Sequence, residues 1–163
     1  MCSRKLPLIC FVLMTIISIS SISYVMYIYF KAYEVVSLID VSISDVTVQK
    51  ETSNSPYVAI KTVICIVNPT DFALKVESVW EELYSNGWNN FLGENFFRVQ
   101  YPSPLLPLNP RSNVTITITI TNVQSNKILE QSPSTWLAKL YIWIHDVPLI
   151  YSARLVRYVS KSA

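Results

Sequence analysis

The sequence predicts an all-β fold, an antiparallel β-sandwich of about seven strands with one short helix, preceded by a single N-terminal transmembrane helix. Three observations lead there. Apolar residues make up 51% of the 163, and many of them are gathered in one uncharged run, Leu6 to Phe30. Beyond it, apolar and polar residues alternate in short stretches, the period of half-buried strands. Turn signals separate those stretches, and the alternating residues are rich in β-branched types.

Taken in order, the run Leu6–Phe30 forms a helix of about 37 Å, enough to cross a hydrocarbon core of about 30 Å with some tilt. A cleaved signal peptide has an apolar region of about 7–15 residues followed by small residues. Ser18–Ser23 is the one small-residue stretch, and Tyr24–Phe30 carries the apolar run past it, so the segment reads as a retained signal anchor. Arg4 and Lys5 precede it, whereas eleven basic and eleven acidic residues follow from Lys31 on. The whole net charge of +2 therefore sits on the short flank, which holds the N-terminus in the cytoplasm. The chain divides into a cytoplasmic flank (1–5), the anchor (6–30), a juxtamembrane stretch (31–38) and an extracytoplasmic sandwich (39–160). Electroneutrality of the outer part excludes nucleic acid as a partner, because no basic stripe is present to displace phosphate counterions.

In the outer part, Ile39, Val41 and Ile43 alternate with polar residues, and the alternation resumes at Val46 and Val48 with shifted parity, as a β-bulge near Ser44-Asp45 produces. Val58, Ile60, Ile64 and Ile66 make a second strand that Asn68-Pro69 ends, since proline donates nothing to a ladder. A third begins at Phe72, Leu74 and Val76 and runs through Val79 and Leu83 with another parity change. Asn86-Gly87 favours positive φ and predicts a hairpin with strands on both sides. Pro102–Pro110 holds four prolines and reads as an extended loop. Val114, Ile116, Ile118 and Ile120 then alternate with threonines without fault. Ile128 and Leu129 allow one short helix between Gln124 and Ser134. Trp136 to His145 is a strand with Trp136, Ala138, Leu140, Ile142 and Ile144 on one face. Lys139 and Asp146 make a second membrane crossing there costly, at about 2.5–3.5 kcal/mol each. A last strand spans about Leu149–Val159.

Several of these pieces resemble the LEA-2 domain, also called the water-stress and hypersensitive-response (WHy) domain, of LEA14-like proteins. The resemblance rests on Val63-Ile64-Cys65-Ile66-Val67-Asn68-Pro69-Thr70, on Phe72-Ala73-Leu74-Lys75-Val76, on Leu83-Tyr84-Ser85-Asn86-Gly87 with Leu92-Gly93, and on Pro107–Asn113 leading into the threonine-alternating strand. It covers about Ile39–Tyr158, and Asn68, Pro69, Asn86 and Gly87 are its landmarks. It implies an immunoglobulin-like sandwich with one small helix and an association with desiccation or other stress. Thr70-Asp71 departs from the pattern, where many members carry a second asparagine or a tyrosine. The family offers no catalytic residues to carry over.

The residues themselves point away from chemistry. Gly87 and Gly93 are the two glycines, so neither a nucleophile elbow nor a phosphate-cradling loop can be written. His145 is the one histidine; beside Asp146 it is expected to be structural, and one histidine excludes a cupredoxin-type copper site within the chain. Asp71, Glu77, Glu81, Glu82 and Glu94 lack calcium-loop spacing and read as a solvated acidic strand face. No metal site and no cofactor are expected. Cys65, alone in the outer part, closes no disulfide there and reads as a small buried hydrophobe. Cys10 precedes the bulk of the apolar run, unlike a lipoprotein box. Tyr141, Trp143 and His145 share a face expected to lie under the proline-rich loop or the short helix, with a contact surface for an envelope protein or glycan as the alternative. Asn113-Val114-Thr115 is a glycosylation sequon.

The functional expectation is a non-enzymatic, membrane-anchored binding or stress-protective module at the cell envelope. Two alternatives are a subunit of a surface filament or envelope layer, joined by strand addition along Val114–Thr121, and an accessory subunit of a membrane complex.

Overall fold

The computed structural model describes residues 5–50, 55–100, 103–129 and 133–163. Helix α1 (Lys5–Leu38) is followed by β1 (Asp40–Lys50), β2 (Tyr57–Asn68), β3 (Leu74–Ser85), β4 (Phe91–Arg98), β5 (Leu106–Leu108), β6 (Ser112–Gln124), α2 (Asn126–Leu129), β7 (Thr135–His145) and β8 (Ser152–Ser162). The strands form two antiparallel sheets. Sheet A has the order β1-β2-β6 and sheet B the order β4-β3-β7-β8, with β5 also on β3. The chain crosses between the sheets after β2, giving an immunoglobulin-like β-sandwich.

Alternation decides what enters the core. Ile60, Ile64 and Ile66 of β2, Ile116, Ile118 and Ile120 of β6, Val76, Val79 and Leu83 of β3, and Leu140, Ile142 and Ile144 of β7 are all buried between the sheets. The parity change in β1 is a register shift between Ile43 and Asp45. That in β3 lies between Val76 and Ser78, so Glu77 is the extra residue that turns the strand over.

Helix α1 is one uninterrupted element of 34 residues, about 51 Å long at 1.5 Å per residue, and is long and apolar enough to cross a membrane. It continues beyond the apolar run, and the juxtamembrane residues 31–38 form its last two turns. Ala32, Val35 and Val36 of those turns join the sandwich core with Ile39. The helix end is capped from β8: Arg157 Nη2 donates to the carbonyls of Val36, Ser37 and Ile39 at 3.4, 3.0 and 3.2 Å. A guanidinium there pairs orphan carbonyls and opposes the negative end of the helix dipole.

The sheet edges are stapled by side chains. β6 is an edge strand, but β4 approaches it: Asn95 Nδ2 donates to the Thr119 carbonyl at 2.6 Å, and a Cβ on Gly93 would lie 2.6 Å from Ile120 Cγ2. At the other side Lys161 Nζ donates to the Ser44 carbonyl at 2.6 Å, at the β1 bulge. Such contacts occupy edge groups that would otherwise recruit another strand.

Several sequence expectations are corrected. Within the proline-rich segment, whose Pro102 lies outside the described residues, Leu106–Leu108 pairs with Leu74–Val76; Pro107 is tolerated because the strand is short and at an edge. β3 starts at Leu74, since Phe72 lies in the bend after Pro69. β8 runs later than expected, from Ser152 to Ser162, because residues 147–151 form a turn in which Leu149 has φ +68°. The Asn86-Gly87 loop is longer than a two-residue turn, closing through Ser85 N to Asn90 O and Asn90 N to Gly87 O. Cys65 is half-buried with Val63 and Val67, between the inward residues of β2, on the outer side of sheet A.

Candidate functional site: the outer face of sheet B

The inward parity of Val79, Leu83, Leu140 and Ile142 leaves the intervening residues of β3 and β7 facing out. Register then assembles a surface from all four long strands of the sheet. Trp80 lies opposite Phe96 on one side and Tyr141 on the other. In the next row Ser78 pairs with Arg98 and Trp143, and Trp143 with Arg154. In the opposite direction Glu82 lies beside Lys139, itself opposite Tyr158. The result is an aromatic surface crossed by cations. Arg154 stands 4.5 Å from the Tyr141 ring centroid and 5.0 Å from that of Trp143, and Lys139 stands 4.8 Å from Tyr141, distances at which the ring faces attract a cation.

Trp80 is 40% exposed and Phe96 60%. Two shallow hollows open on the face, one of about 400 Å³ between Trp80, Phe96, Arg98 and Trp143 and one of about 330 Å³ between Trp80, Tyr141 and Arg154. Toward the Asn86 loop the aromatic surface continues, with Tyr84 edge-on to Trp88 and Phe91 and Trp88 edge-on to Tyr158. Tyr84 Oη donates to Glu82 at 3.0 Å; partial burial and that carboxylate hold its hydroxyl above the usual tyrosine range.

Tyr141, Trp143 and His145 thus share the outer side of β7, as the spacing predicted. Tyr141 and Trp143 are half-buried by Arg154 and Lys139, whereas the proline-rich segment flanks the face, with Ser103 and Leu105 beside Glu77 and Arg98. His145 has a different task. Its Nε2 meets Glu77 Oε2 at 2.6 Å, and its ring lies edge-on to Tyr151 at 5.0 Å. Asp146, its neighbour in sequence, instead pairs with Lys75 at 2.7 Å. The hydrogen bond from His145, aided by Arg98, holds the Glu77 carboxyl below its ordinary value. Among the described residues no three His, Cys, Asp or Glu side chains converge to hold a metal.

The acidic stretch is not one solvated face. Glu81 points inward from β3 and is fully buried. Burial pushes its carboxyl up to about 7, the Thr62 hydroxyl opposing this only in part. Neither Glu81 oxygen nor the Thr62 hydroxyl has a partner in hydrogen-bonding geometry. The bulge at Glu77 is what turns Glu81 inward and Trp80 outward. Trp80, Phe96 and Arg154 were not singled out from sequence; the parity change after Val76 was the signal that could have found Trp80, but strand order was needed to put the other two beside it.

The two landmark asparagines are hydrogen-bond hubs. Asn68 Nδ2 donates to the carbonyls of Phe72, Leu108 and Asn109 at 2.7, 3.2 and 3.1 Å, and Oδ1 accepts from the Thr70 amide and hydroxyl at 3.1 and 2.6 Å. It joins the end of β2, the bend around Pro69 and the end of β5. Asn86, at φ +52°, accepts on Oδ1 from the Ser134 and Thr135 amides at 2.8 and 3.3 Å, and Gly87 follows at φ +142°, a conformation that glycine tolerates best. Asn113 is exposed near the start of β6.

The fold and this face define a class: an immunoglobulin-like sandwich carried on a long apolar helix, with a half-exposed aromatic sheet. No protein-family model and no curated protein matches the chain. Solved structures do match it. A target of the Northeast Structural Genomics Consortium superposes with a TM-score of 0.51 at 10% identity, covering 78% of this chain and 88% of its own. A Bordetella pertussis protein described as ApaA gives 0.44 at 11% identity over 76% and 94% of the two chains. An Archaeoglobus fulgidus protein gives 0.39 at 11% identity over 74% and 97%. The first supports the sandwich fold and nothing further.

Proposed function

We propose that the protein is a non-enzymatic, membrane-anchored binding module of LEA-2 type, whose sandwich lies on the extracytoplasmic side of the cell membrane and engages an envelope protein or glycan. The observation that carries this reading is the outer face of sheet B, where Trp80, Phe96, Tyr141 and Trp143 stand partly exposed with Arg154 and Lys139 among them. Contiguous aromatic surface rimmed by charge is what monomeric domains keep for contacts. Rigid attachment supports the reading too, because the Arg157 cap and the buried helix end give the face a set orientation relative to the anchor. The LEA-2 landmarks Asn68-Pro69 and Asn86-Gly87, which imply a link to water stress, extend it to a protective role.

A photo-crosslinking residue at position 96 in native membranes tests the proposal, with position 117 on the outer side of sheet A as control. Adducts to an envelope protein or glycan from 96 and none from 117 are expected, reduced at least several-fold by Trp80→Ala with Trp143→Ala. Equal labelling from both positions, or none, defeats the assignment of the face. Unchanged survival of a deletion strain on drying or osmotic shock defeats the protective role alone.

A further inference from the structure

Another hollow, of about 640 Å³, lies at the opposite end of the molecule from the Asn86 loop, between α1 and two loops of the sandwich. Tyr27, Lys31 and Val35 line it from the helix, and Phe72, Pro148 and Leu149 from the loops. Its position along α1 is informative. Tyr27 belongs to the apolar run, and Lys31 is the first charge after it. If the hydrocarbon core ends near Phe30, the eight residues 31–38 rise about 12 Å, which overlaps the headgroup layer of a bilayer. Loops that reach Tyr27 therefore lie at the membrane surface.

Those loops carry the side chains such a depth requires. Phe72 is 48% exposed, Leu149 56% and Tyr151 79%. Leu149 is held outward at φ +68°, a conformation leucine rarely adopts and which surrounding structure must impose. Tyr24, Tyr29 and Tyr33 are exposed along the same end of the helix, in the manner of the aromatic belt at membrane interfaces. The charges around the hollow balance: Lys31 pairs with Glu34 and Arg111 with Asp71, both at 2.8 Å. That neutrality suits a headgroup with one charge of each sign.

We infer that the loops 69–72 and 147–151 rest in the headgroup layer of the bilayer that α1 spans, and that the hollow between them and the helix holds a zwitterionic phospholipid of that leaflet. The inference rests on α1 being the membrane anchor and is independent of what sheet B binds. The sandwich is then fixed to the membrane at two places, through its helix and through its loops.

The test is the full chain in phosphatidylcholine vesicles doped with a phosphatidylcholine carrying a photoactivatable group near the headgroup. Adducts are expected on Phe72 and Leu149 as well as on α1, and Phe72→Ser with Leu149→Ser should lower those on Val35 several-fold while the far-ultraviolet circular dichroism is unchanged. Adducts confined to α1, in protein that resists carbonate extraction, overturn this inference and leave the anchor intact. Release by carbonate overturns the anchor reading along with it. A double variant with altered circular dichroism would be replaced by Leu149→Ser alone, for which undiminished labelling of Val35 overturns the inference.

Discussion

Asn68 and Glu81 are both fully buried polar side chains facing the interior of the sandwich, and they fare in opposite ways. Asn68 makes hydrogen bonds through both ends of its amide, to the Phe72, Leu108 and Asn109 carbonyls and from Thr70. Glu81 makes none in good geometry, and Thr62 shares its condition. The difference follows from position along a strand. Asn68 closes β2, where the chain bends and β5 stops, so backbone groups released from the ladders converge on it. Glu81 lies in mid-strand, paired in register with Asn95 on one side and Leu140 on the other. Its neighbours' amides are consumed by the sheet, and the Thr62 hydroxyl set against it is not in hydrogen-bonding geometry. A buried polar group is stabilising where the fold supplies its complement and costly where it does not.

The largest effect is expected at the satisfied site. Asn68→Leu leaves the Thr70 amide and up to three carbonyls unpaired at about 1–3 kcal/mol for each buried group, and a loss of about 4 kcal/mol should appear in denaturant unfolding of the full chain in detergent. Asn68→Asp, which can still accept from Thr70, should lose less. A change under about 1 kcal/mol in the leucine variant would show that the hub adds little to stability.

The unsatisfied site predicts a slope with pH. The Glu81 carboxyl titrates near 7 in the fold against 4.5 in the open chain, so the folded protein is relatively most stable below the lower value. Stability falls as pH rises between the two and is flat beyond, by about 3 kcal/mol in all at 1.36 kcal/mol per unit. Glu81→Gln should abolish that fall. Wild-type and variant unfolding midpoints that run parallel from pH 5 to 7 would contradict the burial of the carboxyl.

Glu77, two bonded partners away from such isolation, should behave with the opposite sign. Its carboxyl is held below 4.5, so its contribution is present at neutral pH and disappears as the pH falls through the acid range. His145→Ala removes the 2.6 Å contact and should cost about 1.5 kcal/mol at pH 7, the gap narrowing in acid. A deficit that is constant down to pH 3 would assign the loss to packing against Tyr151 instead.

The smallest effect belongs to Trp80, adjacent to Glu81 but on the other side of the strand. At 40% exposure, Trp80→Ser should shift stability by about 1 kcal/mol or less while weakening crosslinking from position 96. A much larger destabilisation would place Trp80 in the core accounting and not in the contact face.

Much of the architecture was legible because it depends on spacing within short stretches. The apolar run set the helix, the threonine alternation set β6, and the two parity changes marked the register shifts at Ile43/Asp45 and Val76/Ser78, whereas those at Val58/Ile60 and Leu83/Tyr84 left no such mark. Asn68-Pro69 and Asn86-Gly87 marked strand ends, although not why they do so, since their partners lie 40 and 48 residues away at Leu108 and Ser134. The acidic stretch was misread for a related reason. Asp71, Glu77, Glu81, Glu82 and Glu94 look alike in composition, and only the bulge at Glu77 sends Glu81 to the interior and leaves Glu82 beside Lys139. The strand in the proline-rich segment was missed because three residues carry too little alternation to read.

By itself, the sequence determined that this protein is a β-sandwich behind an apolar helix, since periodicity and turn chemistry act between near neighbours. The tertiary structure alone decided that His145 meets Glu77 and not Asp146, that Arg157 caps helix α1, and that four strands bring Trp80, Phe96, Trp143 and Arg154 onto one face. Each of those juxtapositions depends on strand order and register, which are set by how two sheets bury their inner faces together, and no local pattern records that outcome.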